Sequence, residues 1–428
     1  MHGTRLMAAA AFAVAAIVNP GQAAAAPPAG ACGPVDPASP AVTELPWAQR
    51  TLDAGRVREH GTGAGVVVAV IDSGVDADHP QLRAPGTVLR GQDFFLVGDL
   101  PGSFDCVSHG TAVASIIAAR PADGVGFAGL APDATILPVR VSDRDVAADG
   151  DGQAIDPEVL ARGIWYAADQ GADVINLSVA GGLDNRFVRD AIRHARAEDV
   201  VVVAAVGNAQ QGTAPGPVTY PAGYDGVLGA GAVDMAGTRL PSSQIGPQVD
   251  LVAPGGGVLA AARAGGHQYR DGTSFAAPFV SATAALVRSA YPELSADEVA
   301  ARILATATPA PGGRDSAAYG AGLVNPYRAL TDGLVDAAPA SVPRVDRPVP
   351  DAAHLRLAEW WEGTTSASRL VAVLTAAAAV LGVVAAVVVV RGRRAHWHPR
   401  RAVLPPVEPP RDDLPDELFL VPPPPAER

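Results

Sequence analysis

Basic residues are thin over most of this chain. The formal net charge is −12 over 428 residues. No long basic stripe appears before the last fifth, which argues against nucleic acid as a partner. Cysteine is nearly absent: Cys32 and Cys106 are the only two, and an even pair in an exported chain suggests one disulfide. Aromatic residues are sparse, and Ala, Val, Gly and Pro dominate. No internal repeat is visible. A chain of this length holds one large domain with an ordinary core, plus extra segments.

Two apolar runs are present. His2 and Arg5 precede the first, Leu6 to Val18. Pro20-Gly21 breaks it, and Ala23 to Ala26 offers small-residue cleavage sites. Residues 1–26 therefore read as a cleaved secretory signal, and the lack of paired arginines favours the Sec route. The second run, Leu370 to Val390, has 21 residues without a charge. At about 1.5 Å per residue it is long enough for a hydrocarbon core of roughly 30 Å, so 369–391 is predicted to be a transmembrane helix crossing the lipid bilayer through 370–390. Arg391, Arg393, Arg394, Arg400 and Arg401 follow, which places 392–428 as a cytoplasmic tail and the body outside a plasma membrane crossed once. Residues 27–60 read as an N-terminal extension arm, with a helix over Ala48 to His60. Residues 333–368 read as a Pro-rich linker.

Between these segments, residues 61–332 alternate strands and helices. Gly65 to Ile71, Ala134 to Val141, Val174 to Leu177, Val200 to Val206 and Gly226 to Val233 read as apolar strands of a parallel sheet. His109 to Arg120, Asp156 to Gln170, Phe187 to Ala197 and Ser274 to Tyr291 read as helices. This α/β alternation predicts a mainly parallel sheet covered on both faces.

Acyl transfer by a serine needs a base, a group that orients the base, and donors for the oxyanion. Ser274 stands at a helix start in Asp271-Gly272-Thr273-Ser274, among unpaired backbone N–H groups. Pro278 is tolerable there if it lies within the first turn or so. Asp72 ends the first buried strand, where catalytic groups gather in α/β folds. His109 opens a helix and can be basic near neutral pH, since an unperturbed imidazole titrates near about 6.5. Asn208, just past another strand, is a candidate oxyanion donor beside the Ser274 backbone N–H. His60, His79, His194, His267 and His354 read as surface or loop residues. Asp149-Gly150-Asp151-Gly152 lacks the ligand alternation of a calcium loop, and the tail run Pro422 to Pro425 reads as a disordered end.

Val70-Ile71-Asp72-Ser73-Gly74, His109-Gly110-Thr111-Ala112-Val113-Ala114, Gly207-Asn208 and Gly272-Thr273-Ser274-Phe275-Ala276-Ala277-Pro278 resemble, in order, the four blocks of subtilisin-like serine proteases. The resemblance implies a three-layer α/β/α fold and a serine endopeptidase acting on protein or peptide substrates. No cofactor is expected; some subtilases bind calcium, but the sequence assigns no metal site here. Asp72 would orient the imidazole, His109 would act as base and then acid, Ser274 as nucleophile, and Asn208 would help bind the oxyanion. Val174 to Val179 resembles the edge strand that pairs with extended substrate, which implicates Ser178, Val179, Ala180 and Gly181 in substrate binding. Ala253-Pro254-Gly255 matches a further, structural segment of the family. The wider layout resembles the mycosins, membrane-anchored subtilases of type VII secretion systems. That resemblance implies secretion membrane components as partners and a Cys32–Cys106 disulfide, and it offers as an alternative function a mainly structural role in holding the secretion complex together. About 45 residues between signal and Asp72 leave too little chain for a folded inhibitory pro-domain.

Overall fold

The structure, a computed structural model, describes residues 30–33, 40–96, 98–143, 155–314, 316–334 and 352–394. The leader, residues 149–152, residues 335–351 of the linker, His354's side chain and the tail from 395 on, with Pro422–Pro425, lie outside what is described. The chain forms two compact units, one through Asp336 and one from Ala337.

The helix expected over Ala48 to His60 is two helices, Trp47–Thr51 (α1) and Ala54–His60 (α2). Asp53 divides them at φ 51°, a left-handed conformation that a continuing right-handed helix cannot contain. Strand Val67–Asp72 (β1) leads to the short Gln92–Asp93 (β2), then helix His109–Ala118 (α3) and strand Thr135–Arg140 (β3). Helix Pro157–Asp169 (α4) follows. Its start is fixed as the sequence implies, with the Asp156 side chain accepting from Glu158 N and Pro157 at the first position. Then come Val174–Leu177 (β4), Arg186–Ala197 (α5), Val201–Ala205 (β5), Val227–Val233 (β6) and Leu251–Pro254 (β7). A hairpin of Val258–Ala261 (β8) and His267–Arg270 (β9) precedes Thr273–Ala290 (α6). Ala296–Thr306 (α7) and Pro326–Thr331 (α8) close the first unit.

Seven strands form one sheet in the order β2-β3-β1-β4-β5-β6-β7, every pairing parallel. Successive side chains along each strand point to opposite faces and so enter two different cores. Val68 and Val70 of β1 join the core that contains α3 and α6, while Ala69 and Ile71 join the core under α4 and α5. Strands buried on both faces need covering layers on both sides, which explains the three-layer build. The order also sets the site. From β1 the chain runs to β3 on one side, then returns to β4 on the other, leaving a crevice at the strands' carboxyl ends.

Two readings change. β4 lies between β1 and β5, so it is an interior strand and not an edge. α3 is buried over all ten residues, although only Val113, Ile116 and Ile117 mark an apolar side in its sequence. Ala, Gly, Ser and Thr let a helix be enclosed this way because they add little bulk. The sequence reading assigned no element to β7 to β9, α7 or α8, although Ser295 and Glu298 form a capping box at the start of α7.

The second unit contains helix Ala352–Arg394 (α9), 43 residues long. It starts inside the segment read as linker. Val373–Arg394 is long and apolar enough to cross a membrane, with mean hydropathy 2.8.

Candidate active site

Asp72 is the last residue of β1 and is buried. Its Oδ1 lies 2.7 Å from His109 Nδ1, and both side chains are nearly inaccessible. A carboxylate only accepts, so Nδ1 carries the proton and a neutral ring presents its lone pair at Nε2. The close approach depends on the next residue. A Cβ at Gly110 would meet the Gly74 carbonyl oxygen at 2.0 Å and Asp72 Cβ at 3.1 Å, so only glycine lets the α3 start press against β1. Ser108, just before His109, is held at φ 67°.

The imidazole packs on Phe275, ring centroids 5.2 Å apart. That contact sets His109 beside the first turn of α6, where Ser274 is the second residue. Gly272 precedes the helix at φ 130°, a conformation that residues with a Cβ rarely adopt. Ser274 Oγ donates to the Ser178 carbonyl (3.1 Å). Pro278 is the sixth residue of α6, beyond the first turn where the sequence reading placed it. It has no N–H to give the Ser274 carbonyl four residues back. Ser178 Oγ supplies that bond at 2.7 Å. Asn176 Nδ2 donates to the same hydroxyl, and Ser281 Oγ donates to Asn176 Oδ1. A buried ladder thus ties β4 to the serine's turn.

Asn208 follows β5 and is exposed. Its Oδ1 accepts from Thr273 N (2.9 Å) and Thr273 Oγ1 (3.1 Å). Those donors require an oxygen, which fixes the amide so that Nδ2 is its donor end. Thr273 Oγ1 also accepts from Gly207 N. Of the four residues read as substrate-binding, Ser178 and Val179 are buried, and Ala180 and Gly181 reach the surface. Gly181 exchanges both backbone hydrogen bonds with Tyr220. Cys32 and Cys106 form a disulfide that joins the arm to the turn before His109. Among the described residues no group of three or more His, Cys, Asp or Glu is placed to hold a metal ion.

Sequence reasoning missed Ser73, Asp105, Thr273 as an orienter, and Arg140. Arg140 is fully buried, paired with Asp93 at 2.9 Å, and its Nε donates to the Ser73 carbonyl. It also misplaced two histidines: His79 and His267 are buried. His267 Nε2 meets Gln81 Oε1 at 2.7 Å and His79 Nε2 meets the Gly266 carbonyl. Desolvation pushes both imidazoles down, His267 to about 4.

This three-layer fold, with a buried Asp72–His109 pair at the end of β1 and Ser274 opening α6 next to Phe275, is that of a serine hydrolase of the α/β/α class. The subtilase signature matches residues 63–322, and the chain belongs to the subtilase family. Mycosin-1 of Mycobacterium tuberculosis (strain ATCC 25618 / H37Rv) is 35% identical over 351 residues, covering 71% of this chain and 77% of the relative. Subtilisin DY of Bacillus licheniformis is 34% identical over 284 residues, covering 66% and 97%. The solved structure of the MycP3 protease from the type VII (ESX-3) secretion system matches at 31% identity and a TM-score of 0.60, covering 74% of this chain and 99% of that one. The protein is a subtilisin-like serine endopeptidase related to the mycosins.

Proposed function

We propose that Asp72, His109 and Ser274 form the catalytic triad and that Asn208 Nδ2, with the Ser274 backbone N–H, binds the oxyanion. The observation that carries this is the buried 2.7 Å contact between Asp72 and His109, set against Phe275 beside Ser274. Ser274 Oγ attacks the scissile carbonyl while His109 Nε2 takes its proton. Asp72 stabilises the imidazolium through Nδ1–H. The tetrahedral oxyanion forms at the start of α6, where helix N–H groups have no intrahelical acceptor. His109 then protonates the leaving amine, and water resolves the acyl-enzyme by the same steps reversed. Extended substrate backbone runs along Ala180, since the N–H and C=O of the neighbouring Gly181 are already paired with Tyr220.

The domain limits follow the same reading: signal 1–26, arm 27–60, peptidase domain 61–332, linker 333–368, span 369–391 and tail 392–428. The start of α9 at Ala352 moves the linker's end to about residue 351. The peptidase domain sits outside a plasma membrane, held by the apolar part of α9, with the arginines after it inside. The substrate is an exported protein, and the membrane components of a type VII secretion system are the partners. The likeness to Mycosin-1 and to MycP3 supports that assignment.

In the full-length chain, Ser274→Ala is expected to lower peptide turnover by on the order of 10⁶, the drop known for the nucleophile of subtilisin. Undiminished hydrolysis by that variant would overturn the nucleophile assignment.

A further inference from the structure

Behind the catalytic pair sits a carboxylate that no step above touches. Asp105 is buried, and its oxygens accept five hydrogen bonds. Oδ1 takes Ser73 Oγ (3.0 Å), Val107 N (2.9 Å) and Ser108 N (3.1 Å). Oδ2 takes Thr111 N (2.9 Å) and Thr111 Oγ1 (2.7 Å). All five donors are neutral N–H or O–H groups. Such a set matches an ionised carboxylate, which can only accept. Burial pushes the Asp105 carboxyl up, the hydrogen bonds from Thr111 and Val107 oppose that shift, and the charge of Asp72 adds to it.

Three of the donors are backbone amides of the 107–111 turn, which carries His109 in its middle. The Ser73 hydroxyl leads outward. It donates to Asp105 and accepts from Gly110 N at 2.9 Å. Ser73 N donates to Asp72 Oδ1 at 2.7 Å, the same oxygen that accepts from the imidazole. Arg140 Nε holds the Ser73 carbonyl. Ser73 is therefore fixed on its amide, its hydroxyl and its carbonyl. One path runs from Asp105 through Ser73 to Asp72, and a second through Gly110 to the backbone of His109.

We propose that Asp105 is the positioning residue of the Asp72–His109 pair, acting as a buried anion through Ser73. The inference rests on the reading of Asp72 and His109 as catalytic. An anion at this place does two things. It clamps the turn that aims the imidazole, and it favours the imidazolium that forms when Ser274 gives up its proton.

The test uses the full-length chain and a peptide substrate. Asp105→Asn keeps the shape, removes the charge and turns an amide donor toward other donors. The expected result is a fall in kcat of about tenfold to a hundredfold, the scale seen for outer partners of metal-bound histidines, with KM within about twofold. The acid limb of the kcat/KM profile should also move to lower pH, because the imidazolium loses a nearby anion. Ser73→Ala keeps the anion but cuts the bridge, and should show a similar fall in kcat. The double variant should lose little beyond either single change. A lowered Tm with kcat and acid limb unmoved would assign Asp105 a merely structural role and overturn the proposal. If Asp105→Asn does not fold, Ser73→Ala decides, and unchanged kcat in that variant overturns it. Failure here leaves the triad standing, because only an active Ser274→Ala removes that reading.

Discussion

Asn208 shows how far a single site residue is set by its neighbours. Its position after β5 follows from the sequence, but the direction of its amide is imposed by Thr273 N and Oγ1, 65 residues away in the chain. Asn208→Ala is expected to lower kcat by about 10²–10³ with little change in KM, the range known for an oxyanion donor in subtilisin. A matching rise in KM with unchanged kcat would mean that Asn208 binds the ground state instead. Ser274, His109 and Asp72 were legible because each stands in a short local motif. Ser73, Asp105 and the Ser178 hydroxyl were not. Their roles are hydrogen bonds between segments up to 96 positions apart, and a short window carries no trace of such pairs.

The β8–β9 hairpin is the least legible element and carries a pH dependence. It is bound to the catalytic side by Ala261 N to Ser115 Oγ, Arg263 N to Ser108 Oγ and Ala264 N to Asp76 Oδ2. His267, the first residue of β9, lies against His79 with ring centroids 6.1 Å apart. Asp76 is the acid that raises His79, against a larger lowering by desolvation. Burial lowers both imidazoles and His79 lowers His267 further, so both are neutral in the folded chain at neutral pH. Unfolded histidine titrates near about 6.5, so between that pH and about 4 the unfolded chain binds more protons. Stability is full above the upper value and falls as pH drops through the window. His267→Gln is expected to shrink the loss of Tm between pH 7 and pH 4.5. An unchanged loss would rule out this pair as its source. Asp250 works in the opposite sense, since burial raises it to about 6, so its folded carboxyl binds the extra proton in the same pH range. A calorimetric series in both Asp250→Asn and His267→Gln separates the two. The burial of these histidines was not foreseen, because isolated histidines show no period and only the packing of the hairpin on residues 76–83 buries them.

For the molecule as a whole, the peptidase unit and α9 obey different solvents. The first buries its apolar strands on both faces, while Val380, Leu381, Val383 and Val384 of α9 are exposed. Placing arginine at Val380 and Val384 should cost roughly 2.5–3.5 kcal/mol per charge for insertion at mid-bilayer. The double variant is expected to leave the membrane pellet for the soluble fraction while hydrolysing peptide as before. Retention in the pellet would mean that another segment anchors the chain.

The apolar runs, their length and their alternation with helical periods determined the sheet class and the long apolar C-terminal helix, and short motifs marked Asp72, His109 and Ser274 as candidates, because each depends on neighbours within a few positions. Which strand is central, which hydroxyl replaces the N–H that Pro278 lacks, and which carboxylate braces the imidazole depended on chain crossings. Those contacts join distant positions, and only the folded sheet, by ordering its strands, brings them within hydrogen-bonding reach.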